Sequence, residues 1–299
     1  MAIMKSERFL SPNLARKRVR ESPPILEKQM NTSSPCLVSP RSRRLCALTL
    51  LVAAATQAGE DRDLLYQVST IDALLAGVYE PAARIAEVLP YGDFGLGTFE
   101  ALDGELILLD GQVYQAAANG SINLMPPATG TPFITVTKFD SDRVLEAPAG
   151  QSFTTFKSWL EGELPSRNIP YAIRVDGRFD QINYRSVPRQ TKPYPPLAEA
   201  SKQQTLFEQR TINGTLIGFW SPAYTKGVNV PGFHLHFLSD DRRYGGHVFD
   251  FVLAEGTVRL DPTDRWEVKL PMDAAFLQSD LGSDRSAALH KVEQGKPSQ

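Results

Sequence analysis

Cysteine is almost absent from these 299 residues, and the two present, Cys36 and Cys46, both lie near the N-terminus. The body of the chain therefore offers no disulfide framework, no thiol nucleophile and no thiolate metal ligand. Positive charge is outnumbered there. Residues 1–60 carry ten Lys/Arg and four Asp/Glu, which leaves 22 Lys/Arg and 30 Asp/Glu for residues 61–299, a net of −8. Such a body lacks the basic patch that nucleic-acid binding requires, and nucleic acid is excluded as a partner. Long apolar runs are also missing: residues 45–55 form a run too short to span a bilayer. Internal repeats and long linkers are absent.

That short run has a context. Arg41-Ser42-Arg43-Arg44 precedes it and Thr56-Gln57-Ala58-Gly59 follows it, the three parts of a secretory signal peptide. Residues 1–40 are long for a positive leader and rich in Ser, Pro and charge; they read either as a start assigned upstream of Met30 or as a disordered extension. The expected organisation is residues 1–58 as extension plus signal peptide and residues 59–299 as one catalytic domain. The mature form would then be cysteine-free, without a membrane segment, and exported to the periplasm or medium; without the signal it would be cytoplasmic.

The body alternates short helices with strands. Residues 69–75 begin with a Ser-Thr cap and an acidic first turn, a helix start, and Pro81 and Pro90 bracket a second short helix. Residues 104–116 form two apolar runs around Asp110-Gly111, a hairpin signal. Residues 133–137 are a β-branched strand and residues 152–164 a helix. A second hairpin is expected around Asp176-Gly177, joining residues 171–175 to 179–187. Residues 190–197 are proline-rich and irregular, and residues 197–209 read as a helix. Strands at 248–254, 257–260 and 266–270 close the β region, followed by a helix from Asp273 to about Glu293 and six frayed residues. The fold class is α+β, mainly antiparallel or mixed β-sheet in two closely packed halves with flanking helices.

Three of the four histidines fall within fourteen residues: His234, His236 and His247. On a strand, residues i and i+2 share a face about 6.6–6.8 Å apart, so two imidazoles at that spacing can converge on one ion. Residues 239–246 form a polar turn that returns His247 on the neighbouring strand. Set against two ordinary core or surface histidines and one stray, this pattern points to a metal site. Three ligands and an open position describe a catalytic centre, since structural zinc closes its tetrahedron. Iron, copper and nickel accept the same donors.

With these residues in place the sequence resembles the alpha-acetolactate decarboxylase family. The likeness covers residues 62–294, through Leu96-Gly97-Thr98-Phe99, Leu102-Asp103-Gly104-Glu105-Leu106, Asp110-Gly111-Gln112-Val113-Tyr114-Gln115, Tyr184-Arg185-Ser186-Val187-Pro188 and the stretch 230–247. The resemblance implies loss of CO2 from 2-acetolactate to give acetoin, with Zn2+ on His234, His236 and His247. It implies Glu105 and Glu293 as active-site acids, Arg185 as the active-site arginine, and a homodimer.

The chemistry agrees with these residue types. Decarboxylating a 2-hydroxy-3-keto acid leaves an enediolate, whose charge a Lewis-acidic metal absorbs. No lysine Schiff base is then required. Arg185 can fork the carboxylate through two hydrogen bonds and turn the breaking bond perpendicular to the ketone plane. Glu105 can deliver the proton if burial raises its pKa. Thr98 can hydrogen-bond substrate or Glu105, and His290 reads as a surface histidine. Two other readings use the same histidines: a cupin-like metal oxygenase, which lacks here a glutamate a few residues after His236, and an exported zinc-binding protein, which has no use for Arg185.

Overall fold

The computed structural model of the protein describes residues 62–293; the expected extension, the signal peptide and the last six residues lie outside them. The chain opens with β1 (Leu64–Val68) and α1 (Ile71–Leu75), whose start is capped by the Thr70 hydroxyl accepting from the Ala73 N–H. Next come β2 (Ala83–Arg84), α2 (Ile85–Val88), β3 (Phe94–Thr98), β4 (Glu105–Leu109), β5 (Gln112–Ala116), β6 (Ile122–Leu124), β7 (Gly130–Thr131) and β8 (Phe133–Thr137). After β9 (Arg143–Glu146) and β10 (Gln151–Ser152) runs the longest helix, α3 (Phe153–Glu163). The remainder is β11 (Tyr171–Ser186), α4 (Leu197–Ala200), β12 (Thr205–Ser221), β13 (Gly232–Ser239), β14 (Gly245–Pro262), β15 (Arg265–Lys269), α5 (Ala274–Gln278) and α6 (Ser286–Glu293).

These strands make the two halves expected of an α+β chain. The first is a seven-stranded sheet in the order β15-β1-β8-β3-β4-β5-β6, antiparallel except where β1 runs parallel to β15. Its β4–β5 hairpin turns on Asp110-Gly111, both at positive φ (51° and 75°), as a two-residue type I′ loop requires. The second half follows β10-β14-β11-β12-β13, and a further β13–β14 pairing closes the path on itself. Strand β4 is buried on both faces. Ile107 and Leu109 meet Ile217, Phe219 and Leu238 of the second half, while Leu106 and Leu108 pack with Ile85 and Val88 under α2. The period of two along β4 therefore points Glu105 the same way as Ile107, toward the second half. Helix α3 lays Phe156 and Leu160 over Phe179 and Phe251, and α1, α4 and α6 gather around Phe133, Val187 and Val230.

Four local expectations are corrected. Asp176-Gly177 is not a turn; β11 runs straight through it for 16 residues. Asp176 accepts from Arg174, Arg259 and Thr215, and Gly177 pairs with Gly214 on one side and Gly256 on the other. A Cβ at Gly177 would lie 2.5 Å from the Glu255 carbonyl oxygen, so this glycine serves close backbone approach inside a sheet. Residues 248–254 and 257–260 likewise belong to one strand, β14. The helix expected over 197–209 stops at Ala200 and a 3-10 turn at 201–203. Phe207 then pairs with Tyr184 across the strands, their rings stacked at 5.3 Å, and that cross-strand contact outweighs helical propensity. The last helix is broken in two because Asp280 accepts from the Gly282 N–H and Asp284 from the Ser286 N–H, local bonds that compete with helix continuation.

Near the far end of β14, Asp261 is fully buried, accepts one bond from the Asp140 N–H and has no partner on Oδ1. Burial, with Asp63, Asp142 and Asp140 nearby, raises its pKa to about 7. A carboxyl whose folded pKa exceeds its unfolded value stabilises the protein below the unfolded value and loses that contribution as pH rises through 7. Asp261→Asn is accordingly expected to raise the melting temperature at pH 8, by roughly 4–10 °C for about 2–4 kcal/mol. The gain should vanish toward pH 4; equal melting curves at pH 8 would refute it.

Candidate metal centre and active site

His234 and His236 sit on β13, two residues apart and on one face, as the spacing predicts. The turn after them is built by Ser239. Its hydroxyl accepts from the Arg243 and Tyr244 N–H groups, and its own N–H donates to the Tyr244 carbonyl. The chain thus returns in register, with His247 of β14 directly opposite His236. On its other side His247 pairs with Arg185 of β11. Gly246, at φ 154°, makes this approach possible: a Cβ there would lie 2.5 Å from the Arg185 carbonyl oxygen. Adjacent strands therefore present Arg185, His247 and His236 side by side.

The three imidazoles are 1–9% exposed, with ring centroids 5.1–5.4 Å apart. One ligand atom from each lies within 4.8 Å of the others. His236 Nδ1 is 2.9 Å from the Leu106 carbonyl, so it is the donor and leaves the Nε2 lone pair free, the carbonyl-oriented tautomer typical of metal ligands. Nε2 of His236 and of His247 are buried without a hydrogen-bond partner. Buried donors or acceptors are rarely left so. A divalent cation fits this donor set, since it would satisfy the orphaned lone pairs at once. Burial also pushes His234 and His247 well below the ordinary histidine range and His236 down to about 3, with Arg185 adding to each and Leu106 opposing at His236. All three are neutral at physiological pH, the form that ligates.

Arg185, Glu105 and Glu293 converge on the same cavity. Arg185 is 3% exposed; its Nη1 donates to Glu105 Oε1 at 3.3 Å, its Nη2 to the Val292 carbonyl at 3.4 Å, and its Nε has no partner. Burial raises the Glu105 pKa, against the opposing pull of Arg185 and a hydrogen bond from the Val187 backbone. Glu293, in the last turn of α6, is raised to about 7 by burial, with Arg185 opposing and Glu105 adding. The contacts His236 Nε2–Glu105 Oε2 (3.7 Å) and His247 Nε2–Glu293 Oε2 (3.4 Å) are therefore not ion pairs, because the imidazoles are neutral. Glu105 is held from behind. Thr98 pairs with it across β3 and β4 and donates from Oγ1 to the Gly104 carbonyl at 2.7 Å, while Gly104 N–H donates to the Val187 carbonyl. Thr98 thus braces the loop that delivers Glu105. His290 is exposed and stands apart from the triad.

Sequence reasoning missed the cavity's apolar wall of Leu74, Leu102, Phe133, Val187, Leu197 and Val292. It also missed the Leu106 carbonyl that orients His236. Val187 follows Arg185 closely enough to have been found from its motif; the leucines come from α1, α4 and a loop, and nothing in their local sequence marks them.

Comparison with known proteins places the whole described body of the chain in one family. The sequence matches the alpha-acetolactate decarboxylase family over residues 65–283. It is 44% identical over 231 residues to the alpha-acetolactate decarboxylase of Methanosarcina mazei, covering 77% of this chain and 80% of that one. With the enzyme of that name from Methylococcus capsulatus it shares 43% identity over 79% of this chain and 90% of the other. The crystal structure of alpha-acetolactate decarboxylase from Bacillus subtilis superposes with a TM-score of 0.76 at 39% identity, covering 78% of this chain and all of that one. The chain belongs to the alpha-acetolactate decarboxylase family, a family of carboxy-lyases.

Proposed function

We propose that the protein removes the carboxyl group of 2-acetolactate as CO2 and protonates the remainder to give acetoin, with one zinc ion held by His234, His236 and His247. The observation that carries this reading is the convergence of three neutral imidazoles, one buried guanidinium and two carboxyl groups of raised pKa on one cavity. Zinc suits a three-histidine site with a fourth position open. When bound, it supplies Lewis-acid stabilisation of the negative charge that decarboxylation leaves on the substrate oxygens.

The protein's own residues do the rest. Arg185 takes the substrate carboxylate. Binding it equally in ground and transition states accelerates nothing, so the value of the fork lies in holding the breaking C–C bond perpendicular to the ketone plane. Glu105, whose pKa burial raises, delivers the proton to one face of the carbon that lost CO2. Glu293 faces His247 as a second acid and closes the cavity from α6. The apolar wall receives the methyl groups and excludes water. Because one methylene discriminates by only about 1–3 kcal/mol, the ethyl homologue of the substrate should also react. We further read the protein as a homodimer, with residues 59–299 as the catalytic domain, exported when the leader acts as a signal peptide. Among the described residues no helix is long and apolar enough to cross a membrane.

The test is direct: purified protein given racemic 2-acetolactate is expected to release acetoin and CO2 in equal amounts. Folded, zinc-loaded protein that releases neither would overturn the assignment.

A further inference from the structure

Arg185 and Glu105 reach the cavity from different sheets, Arg185 on β11 of the second half and Glu105 on β4 of the first. Arg185 also stands at an exposed place in its own ladder. It occupies the last rung of the pairing between β11 and β14, opposite His247. One residue further on, β11 keeps a partner on the β12 side alone, where Thr205 lies opposite Ser186. The end of a paired stretch is the first part to open, so the arginine needs support from elsewhere.

Ser186 supplies it. The residue is fully buried, and its Oγ donates to the Ala116 carbonyl at 2.7 Å. Ala116 is the β5 residue directly opposite Glu105. The residue after the arginine is therefore bound to the residue across from the glutamate. Main-chain bonds run beside this link. Gly104 N–H donates to the Val187 carbonyl at 3.0 Å, Gln190 N–H to the Ala101 carbonyl at 2.7 Å, and Val187 N–H to the Glu105 carboxyl. The Ser186 hydroxyl is a part of this junction that a substitution can remove without touching a reacting group. A buried hydroxyl gains little net stability from one hydrogen bond, because it gave up water to make it. What the bond adds is a fixed position.

We propose that Ser186 is a positioning residue for the decarboxylation, whose hydroxyl sets where the Arg185 guanidinium stands relative to the Glu105 carboxyl. This role rests on the decarboxylase reading and deepens it. CO2 leaves from the end of the substrate that Arg185 holds, and Glu105 delivers a proton to the carbon it left. The two groups must flank one carbon atom, and a displacement of about 1 Å can cost roughly a hundredfold in rate. Ser186 is not among the residues that line the cavity; it acts through two that are.

The experiment measures initial rates of CO2 release and the enantiomeric purity of the acetoin for the zinc-loaded full chain. It compares wild type with Ser186→Ala, Ser186→Cys and Thr263→Val. Ser186→Ala is expected to lower kcat about tenfold, with KM and zinc content near wild type. Product purity should fall with it, since a misplaced acid leaves protonation to water. Ser186→Cys keeps the volume but donates weakly, and should fall between. Thr263→Val removes another buried hydroxyl, bound to the Pro170 carbonyl just beyond the far end of β14, and should change the melting temperature alone. In a Glu105→Gln background Ser186→Ala should change kcat less than about twofold, because residues that act through one group are not additive. Wild-type kcat and product purity in both Ser186 variants would overturn the role while leaving the decarboxylase reading intact. An undiminished loss in the Glu105→Gln background would overturn it too, since the serine would then act independently of the proton donor. An inactive wild type would remove the decarboxylase reading, and the role with it.

Discussion

Dialysis against a strong chelator is expected to bring acetoin formation below about 1% of its starting rate, and one equivalent of zinc per chain to restore it. The size of the effect follows from what the cavity contains. Charge left on the substrate by departing CO2 must go somewhere, and among the described residues no Schiff-base lysine lines the site to receive it. Arg185 is committed to a carboxylate, and Glu105 and Glu293 are placed to give protons. Without an electrophile, several kcal/mol of transition-state stabilisation disappear, and each 1.36 kcal/mol is about a tenfold change in rate. Chelation should also lower the melting temperature by several degrees, because a ligand that binds only the folded state stabilises it by mass action. His236→Ala should reproduce the loss and resist repair by stoichiometric zinc, whereas His290→Ala, altering an exposed histidine, should leave activity and zinc content as they were. Full activity in protein shown by elemental analysis to be metal-free would end the metal reading.

Glu105→Gln is expected to lower kcat by roughly 10²–10⁴, the usual worth of a positioned proton donor, with zinc content and KM near wild type. The amide keeps the shape of the side chain and can still accept from Arg185, so the variant removes chiefly the acidic proton. A second readout separates delivery of a proton from mere support of Arg185. If Glu105 protonates one face, its replacement hands the task to water and the enantiomeric purity of the acetoin falls. A purely structural glutamate would change rate without changing stereochemistry. A kcat within about threefold of wild type, with product of unchanged purity, would transfer the proton to Glu293.

The metal constellation was the most legible part of the site because strand geometry makes it local. Two histidines two apart share a face whatever the rest of the chain does, and a polar turn of suitable length brings back the third. Arg185 and Glu105 carry no such signature: an arginine before a proline turn and a glutamate at a strand start are common surface residues. Their motifs, through resemblance to a family, singled them out, and the structure then placed them by long-range register, β11 against β14 and β4 against the second half. The apolar wall was illegible for the same reason in stronger form, since its leucines meet only after two helices and a loop pack together. Misread elements failed in a consistent way. Asp176-Gly177 has the letters of a hairpin, but its aspartate is bound by two arginines from the sheet and its glycine admits a neighbouring backbone. Residues 205–209 have no helix-breaking residue, and their pairing with residues 182–186 of β11, with Phe207 stacked on Tyr184, makes them a strand.

The pairing that closes the second sheet on itself is short, three residue pairs from His236–His247 to Leu238–Gly245, and its outermost pair consists of two of the three histidines. The bond that would complete the sheet and the ion that would complete the site therefore meet at one seam. Parity governs that seam: a slip of one residue turns every side chain of a strand to its opposite face. Residues 240–244 are consequently free to vary in length and composition so long as His247 returns opposite His236. An insertion absorbed by the loop leaves the centre alone, while the same insertion absorbed by β14 would send one ligand outward and leave a closed barrel around an incomplete cage.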